Sequence, residues 1–252
     1  MVKLSNRLRM IADRVPVGSK LADIGSDHAL LPAYLVKQGI TPFAVAGEVN
    51  QGPREAAENQ VKEAGLSSQI EVRLGDGLEV LSPGEVDTVT IAGMGGSLIV
   101  SILDAGKEKL LNVSTLVLQP NVAEDKVRAW LDAEGWFLAE ETILKEDGKI
   151  YEILTARHPQ AWDHPENLYK SRRLKADLVL NKPELLCLGP YFVENPSPVW
   201  FEKWTKEISK LEKIAGQVNQ SDLEAARQKQ QAMVKKIAKL KEVLACLQKD
   251  RL

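Results

Sequence analysis

Between Leu21 and Ala29 an apolar run ends in an acid, meets a glycine two residues later and turns into a helix start: Leu21-Ala22-Asp23-Ile24-Gly25-Ser26-Asp27-His28-Ala29. A buried strand, a tight turn and a helix N-terminus in that order make a corner. Backbone N–H groups and the positive end of a helix dipole face a ligand there. Asp23 closes the strand, Gly25 permits close backbone approach, and Asp27-His28 opens the helix. This is not the dinucleotide fingerprint, which needs G-x-G-x-x-G so that a pyrophosphate can rest on bare backbone. Asp27 stands where the second glycine would be, and no third follows. A carboxylate in that place repels a pyrophosphate and suits a cationic ligand.

The chain around this corner repeats its logic. Leu4, Leu8, Ile11 and Val15 fall on one face of an amphipathic helix, with Lys3, Arg7, Arg9 and Arg14 on the other and Pro16 and Gly18 ending it. Ala29 to Gln38 continue as helix up to Gly39. Phe43 to Val49 read as a second buried strand ending in Glu48, 25 residues after Asp23. That spacing suits a carboxylate accepting both ribose hydroxyls of an adenosine. After a helix from Pro53 to Ala64, a third strand (Ile70 to Leu74) leads into Gly75-Asp76-Gly77, where Asp76 is placed to bond an adenine amino group. Val86 to Ala92 form a fourth strand followed by Gly93-Met94-Gly95-Gly96, and Leu116 to Gln119 a fifth followed by Pro120-Asn121. Strands alternating with helices predict a parallel, doubly wound sheet, whose ligands bind beyond the carboxyl ends of the strands. All five clusters lie on that edge. S-adenosylmethionine, a nucleoside bearing a sulfonium and an amino group, is the cationic ligand that an acid-x-Gly at the end of a first strand accommodates.

Trp136 to Glu146 and Lys149 to Arg157 flank Asp147-Gly148, a two-residue hairpin signal. An antiparallel hairpin closing the sheet edge is typical of methyltransferases and unusual in dinucleotide dehydrogenases. His158-Pro159 and the Pro165 region mark a boundary, which predicts an S-adenosylmethionine-binding domain over 1–158 and a helical domain over 159–252. In the latter, Asn167 to Leu180 read as a helix carrying Lys170, Arg172, Arg173 and Lys175, and Pro183 to Pro198 as an irregular connector. Trp204, Ile208, Leu211, Ala215 and Val218 then keep 4-3-4-3 spacing. After a Ser221 or Asp222 cap, so do Leu223, Ala226, Gln230, Met233, Ile237, Leu240, Leu244 and Leu247. Two such seams around a short turn predict an antiparallel coiled-coil hairpin, with Gln230 as a register-fixing polar interruption.

Charge is divided unevenly. Residues 1–159 carry 16 Lys+Arg against 23 Asp+Glu, a net −7, whereas residues 160–252 carry 17 against 12, a net +5. A basic tail on an acidic body points to a polyanionic partner, or to a solvated helical face. Cys187 and Cys246 stand alone, which reads as two reduced structural thiols and predicts no metal site. There is no apolar run of membrane-spanning length and no signal peptide, so the expected location is cytoplasmic, with no membrane partner. The oligomeric state is left open.

The D-I-G-S-D-H-A block at 23–29, Gly47-Glu48-Val49, Gly75-Asp76-Gly77, Ala92 to Gly96 and Gln119-Pro120-Asn121 together resemble the bacterial TrmK family, which methylates N1 of adenine 22 in tRNA. The resemblance covers roughly residues 1–158. It implies a Rossmann-like class I methyltransferase sheet, S-adenosylmethionine as cofactor and tRNA as partner, met by the catalytic face and the basic tail. Cofactor contacts would fall on Asp23, Gly25, Asp27, Glu48, Val49, Asp76, Gly77, Ala92 and Gly93. The base pocket would lie around His28, Gly93 to Gly96 and Gln119 to Asn121, with Asp27, His28, Gly95 and Asn121 as the candidate catalytic set. Many adenine methyltransferases carry [DN]-P-P-[FYW] after the fourth strand, where this chain has Ala92-Gly93-Met94-Gly95. Asp27 also reads as a helix N-cap and His28 as a structural turn residue. The rival functions are a methyltransferase acting on a protein or small molecule, a tRNA-binding module without activity, and an NAD enzyme. Asp27 and the terminal hairpin disfavour the last.

Overall fold

Residues 2–158, 168–218 and 224–249 are described by the structure, a computed structural model of the chain. The chain divides into two compact units, Met1–Pro165 and Glu166–Leu252. The expected boundary at His158-Pro159 runs into residues 159–167, outside the described residues.

The first unit is a seven-stranded sheet. Its strands are β1 (Leu21–Ile24), β2 (Ala44–Glu48), β3 (Ile70–Leu74), β4 (Thr88–Met94), β5 (Thr115–Pro120), β6 (Phe137–Glu146) and β7 (Lys149–Arg157), in the spatial order β3-β2-β1-β4-β5-β7-β6. The first five run parallel, and β7 enters antiparallel beside β5. Helices α1 (Asn6–Ala12), α2 (Leu30–Lys37), α3 (Gln51–Glu63), α4 (Gly96–Ala105) and α5 (Glu124–Ala133) provide the crossovers and cover. Strands β1, β2 and β5 are buried at every position, as expected of parallel strands covered on both faces. The order reverses at β1, whose neighbours are β2 and β4. Such a switch point opens a crevice at the carboxyl ends. The hairpin turns on Asp147-Gly148 with φ of 49° and 76°, the left-handed pair a type I′ turn requires.

The buried guanidinium of Arg128 on α5 pins the hairpin. It donates to Glu141 on β6 and Glu152 on β7, all three side chains being inaccessible to solvent. Burial works against that charge, but the two carboxylates outweigh it and hold the guanidinium above its usual range.

In the second unit, residues 172–180 are not the expected helix. They form a small antiparallel hairpin, β8 (Arg172–Lys175) and β9 (Leu178–Leu180). Leu178 and Leu180 are buried with Val179 half-buried between them, a period of two that outweighs the helix propensity of Arg, Leu and Lys. The expected connector from 183 to 198 is also replaced, by α6 (Lys182–Leu188) and α7 (Pro190–Glu194). Asn181 and Glu184 form a reciprocal capping box and Pro183 sits in the first turn, a strong helix start. Two long helices follow, α8 (Pro198–Val218) and α9 (Glu224–Lys249). Their seam buries Trp204, Ile208, Ala215, Ile237, Leu240, Leu244 and Leu247, and Gln230 Nε2 donates to the Ala215 carbonyl across it at 3.4 Å. Leu223, and the side chains of Val218 and Ala226, lie outside the described residues. Cys187 and Cys246 are not joined in a disulfide, and both are partly buried.

Candidate active site

The segment after β1 does not open α2 directly, as Asp27-His28 was expected to. Asp27, His28 and Ala29 all take left-handed φ (42°, 64° and 51°), and Ala29 is the N-cap. Three consecutive non-glycine residues in that region cost ~1–2 kcal/mol each, so something must hold them. Glu48 at the end of β2 does: its buried carboxylate accepts the Asp27 N–H at 2.7 Å. Asp27 is therefore not the cap of α2, and its side chain is left exposed at the turn.

Asp23 sits on β1 between β2 and β4 and is buried. The hydroxyls of Ser26 and Thr90 each donate to it at 2.6 Å. Burial raises its carboxyl from the ordinary 3.8 to about 6; the two hydroxyls and Arg7 oppose the rise and Glu48 adds to it. Gly25 follows with φ 68°, and a Cβ on it would come within 2.2 Å of Met94 Cε. A side chain at position 25 would have to push aside the flexible end of Met94, and the left-handed φ itself favours glycine there.

A buried amide shapes the β4 loop. Gln119 accepts from Arg7 Nη1 (2.7 Å) and from the Gly93 N–H (3.2 Å), and it donates to Asn121 Oδ1 (3.0 Å). Asn121 Nδ2 in turn donates to the Gly93 carbonyl (2.7 Å). Both backbone groups of Gly93, itself at φ 79° in a bulge of β4, are held by the Gln119-Pro120-Asn121 segment. That segment works as a clamp on the Gly93 loop.

These residues enclose a cavity of about 770 Å³ whose walls include Asp23, Gly25, Ser26, Asp27, Ala92, Gly93, Met94 and Asn121. Its far wall was not foreseen from sequence: Arg7 and Leu8 of α1, and Lys149, Ile150 and Tyr151 of β7. The Arg7 guanidinium lies over the Tyr151 ring, 5.5 Å from its centroid. Because β7 is antiparallel and pairs with β5 only from Leu154 onward, its first residues overhang the carboxyl end of β5. Topology, not a local motif, carries Tyr151 to the site. Arg7 gave no local signal beyond lying on the polar face of its helix.

Some expected residues stand apart. Asp76 and Gly77 line a separate cavity of about 280 Å³ with Leu98, Ser101 and Ile102. Glu48 reaches the main cavity only through the Asp27 backbone, and it is flanked by exposed apolar residues, Val49 next in sequence and Leu74 opposite on β3. His28 lies 3.7 Å from the Asp27 carboxylate and is not among the residues lining the main cavity. Gly95 does not line it either; it caps α4, its carbonyl accepting from the N–H groups of Leu98 and Ile99.

The donor set fits a cationic nucleoside: two buried carboxylates at adjacent strand ends, a side-chain-free turn between them, and open apolar surface beside the second. Among the described residues no cluster of His, Cys, Asp and Glu has the make-up of a metal site, and no helix is long and apolar enough to cross a membrane.

Residues 21–242 match the family TrmK, described as tRNA (adenine(22)-N(1))-methyltransferase. A tRNA (adenine(22)-N(1))-methyltransferase of Bacillus subtilis (strain 168) is 43% identical over 244 residues, 96% of this chain and 98% of its own length. The crystal structure of the B. subtilis M1A22 tRNA methyltransferase TrmK superposes with a TM-score of 0.86 at 42% identity, covering 97% of this chain and 100% of that one. M. capricolum TrmK, solved with the cofactor product S-adenosyl-homocysteine, gives a TM-score of 0.78 at 28% identity, over 97% and 99% of the two chains.

Proposed function

Because the chain belongs to the TrmK family of tRNA (adenine(22)-N(1))-methyltransferases, we propose that the 770 Å³ cavity is where it methylates N1 of a tRNA adenine. The observation that carries the reading is the meeting of Asp23, Gly25 and the clamped Gly93 loop in one cavity at the sheet's switch point. In that reading Asp23 and Glu48 would hold S-adenosylmethionine, with Gly25, Ala92 and Gly93 approaching it by backbone. Val49, Asp76 and Gly77 would border its adenine. When bound, the cofactor would supply a sulfonium methyl whose carbon the free lone pair of adenine N1 attacks as the carbon–sulfur bond breaks, with S-adenosyl-homocysteine as the leaving group.

The residues of the chain then have placement as their main task. Aligning reacting atoms is worth ~7–11 kcal/mol at the favourable extreme. N1 is on the Watson–Crick edge, so the target adenine must leave its stack to enter the cavity. Asn121 and the Gly93 carbonyl offer polar groups on one side of the incoming base, and Arg7 and Tyr151 a flat wall on the other. This wall takes the place of the aromatic residue that the β4 loop lacks. The base becomes cationic on methylation, and Asp27 lines the cavity as the carboxylate to stabilise that charge. His28 would act on the RNA outside the cavity rather than on the reacting atoms.

The basic helical unit is proposed to contact tRNA phosphates. Arg172, Lys206, Lys210 and Lys239 are engaged with Glu194, Glu202, Glu207 and Glu184. Arg173, Lys235 and Lys236 are exposed and outside any ion pair among the described residues, and are the first candidates. Mass spectrometry of nucleosides from tRNA incubated with the protein and S-adenosylmethionine tests the function. N1-methyladenosine is expected. Its absence, with the methyl group found on protein or a small molecule, would overturn the assignment.

A further inference from the structure

Beside α1 lies a second large cavity, about 640 Å³, that no step of the proposed reaction uses. Val2, Lys3, Leu4, Asn6 and Arg9 form one side, and Tyr34, Lys37 and Gln38 of the α2 end form the other. Three of these residues are cations and none is an acid, on a body whose first 159 residues carry a net −7. Lys3 and Lys37 are exposed and have no ion-pair partner among the described residues. Arg9 lies over the Tyr34 ring, 5.1 Å from its centroid, and its partner Asp13 is an exposed i,i+4 carboxylate at 3.2 Å. An exposed pair of that kind is weak and readily exchanged for a stronger anion. Glu146, at the start of α1, is occupied by the N–H groups of Asn6 and Arg7.

We propose that this groove, formed by Lys3, Arg9 and Lys37, binds phosphodiesters of the RNA strand that delivers the target base. The proposal rests on the reading of the main cavity as the tRNA methylation site. Helix α1 supplies the link. Arg7 and Leu8 face the main cavity, while Asn6 and Arg9 line the groove, so the two sites lie on either side of one short helix. A strand that places a base against Arg7 carries its neighbouring phosphates past Asn6 and Arg9. The Tyr34 ring is buried beneath Arg9, so the groove offers charge and amide hydrogen bonds rather than a stacking surface. That chemistry fits phosphate and not a base. Contacts of this type fix register without choosing sequence.

The test uses full-length protein with Lys3→Gln and Lys37→Gln together. The control is Lys20→Gln with Lys62→Gln, which removes the same charge elsewhere on the unit. Calorimetry with S-adenosylmethionine is expected to give unchanged cofactor affinity for both variants, which also reports that each is folded. Fluorescence anisotropy with tRNA from 50 to 300 mM KCl should show the groove variant about tenfold weaker near 150 mM. Its log–log salt slope should be shallower by about 1.4 to 1.8, the loss of two phosphate contacts. The control should move far less. Equal effects in the two variants, or an unchanged slope in the groove variant while wild-type protein methylates tRNA, would overturn the groove alone. Wild-type protein that neither binds nor methylates tRNA would overturn the functional reading and the groove with it.

Discussion

If Asp23 faces the cofactor as proposed, cofactor binding should depend on pH. Its burial moves the carboxyl from 3.8 to about 6, which corresponds to about 3 kcal/mol in favour of the protonated form. The folded pKa is above the unfolded one, so the ligand-free protein loses that amount of stability as pH rises from about 3.8 to about 6, and no more beyond. A cationic ligand reverses the preference by pairing with the ionised carboxylate. Affinity for S-adenosylmethionine should therefore be flat above pH 7 and fall about tenfold per pH unit below 6, which makes it about tenfold weaker at pH 5 than at pH 8. Asp23→Asn keeps the shape and removes the titration. It should bind about 10- to 100-fold more weakly at pH 8, for the loss of a charge-assisted interaction worth ~1.5–3 kcal/mol, and show no step near pH 6. Calorimetry across pH 5–8 on both proteins decides the matter. If the Asn variant keeps the same step, or wild type shows none, Asp23 is not the group facing the cation.

Glu48→Ala should weaken cofactor binding by an order of magnitude or more and loosen the 27–29 turn that its carboxylate holds; unchanged affinity by calorimetry would remove Glu48 from the site. Arg128→Ala removes the buried guanidinium that Glu141 and Glu152 share, while both carboxylates stay buried. Denaturant unfolding of the variant should show a loss of ~3–5 kcal/mol, and a loss under 1 kcal/mol would mean that water already reaches the cluster. Lys235→Gln with Lys236→Gln should reduce tRNA affinity and its salt dependence while leaving cofactor affinity alone; a salt titration matching wild type would confine RNA contact to the first unit.

Most of the first unit was legible because its signals are local. Strands buried on both faces read as continuous apolar runs, and Asp147-Gly148 names its own turn. Asp23, Gly25, Asp27 and Asn121 were legible for a related reason: in a parallel sheet, strand ends share one edge whatever the loops do. What sequence hid was set by packing. Arg7 becomes a site residue only because Gln119, 112 positions away, is buried where the guanidinium can reach it. Asp76 was placed by its strand end and by the family resemblance, neither of which reveals that it lines a cavity of about 280 Å³ with residues of helix α4. In the second unit, Arg172 to Lys175 favour helix by propensity. Only pairing with Leu178 to Leu180 makes them a strand. The Asn181 to Glu184 capping box was readable, and the prolines at 183, 190, 196 and 198 argued the other way.

The clamp on α1 bears on how the chain comes off the ribosome. Asn6 and Arg7 are held by Glu146, 140 and 139 residues later, and the cavity wall opposite Asp23 is supplied by Lys149 to Tyr151. Loop closure over such separations is slow compared with local pairing. A nascent chain that has released β1 to β5 already holds the acids, the glycine turn and Arg7, yet it lacks the part of the far wall that Lys149 to Tyr151 supply. On the proposed assignment the carboxylates for the cofactor are present at that stage, whereas the wall opposite them is completed only with the hairpin. A chain that ended before Lys149 would therefore present one side of the proposed tRNA site without the wall that the hairpin adds.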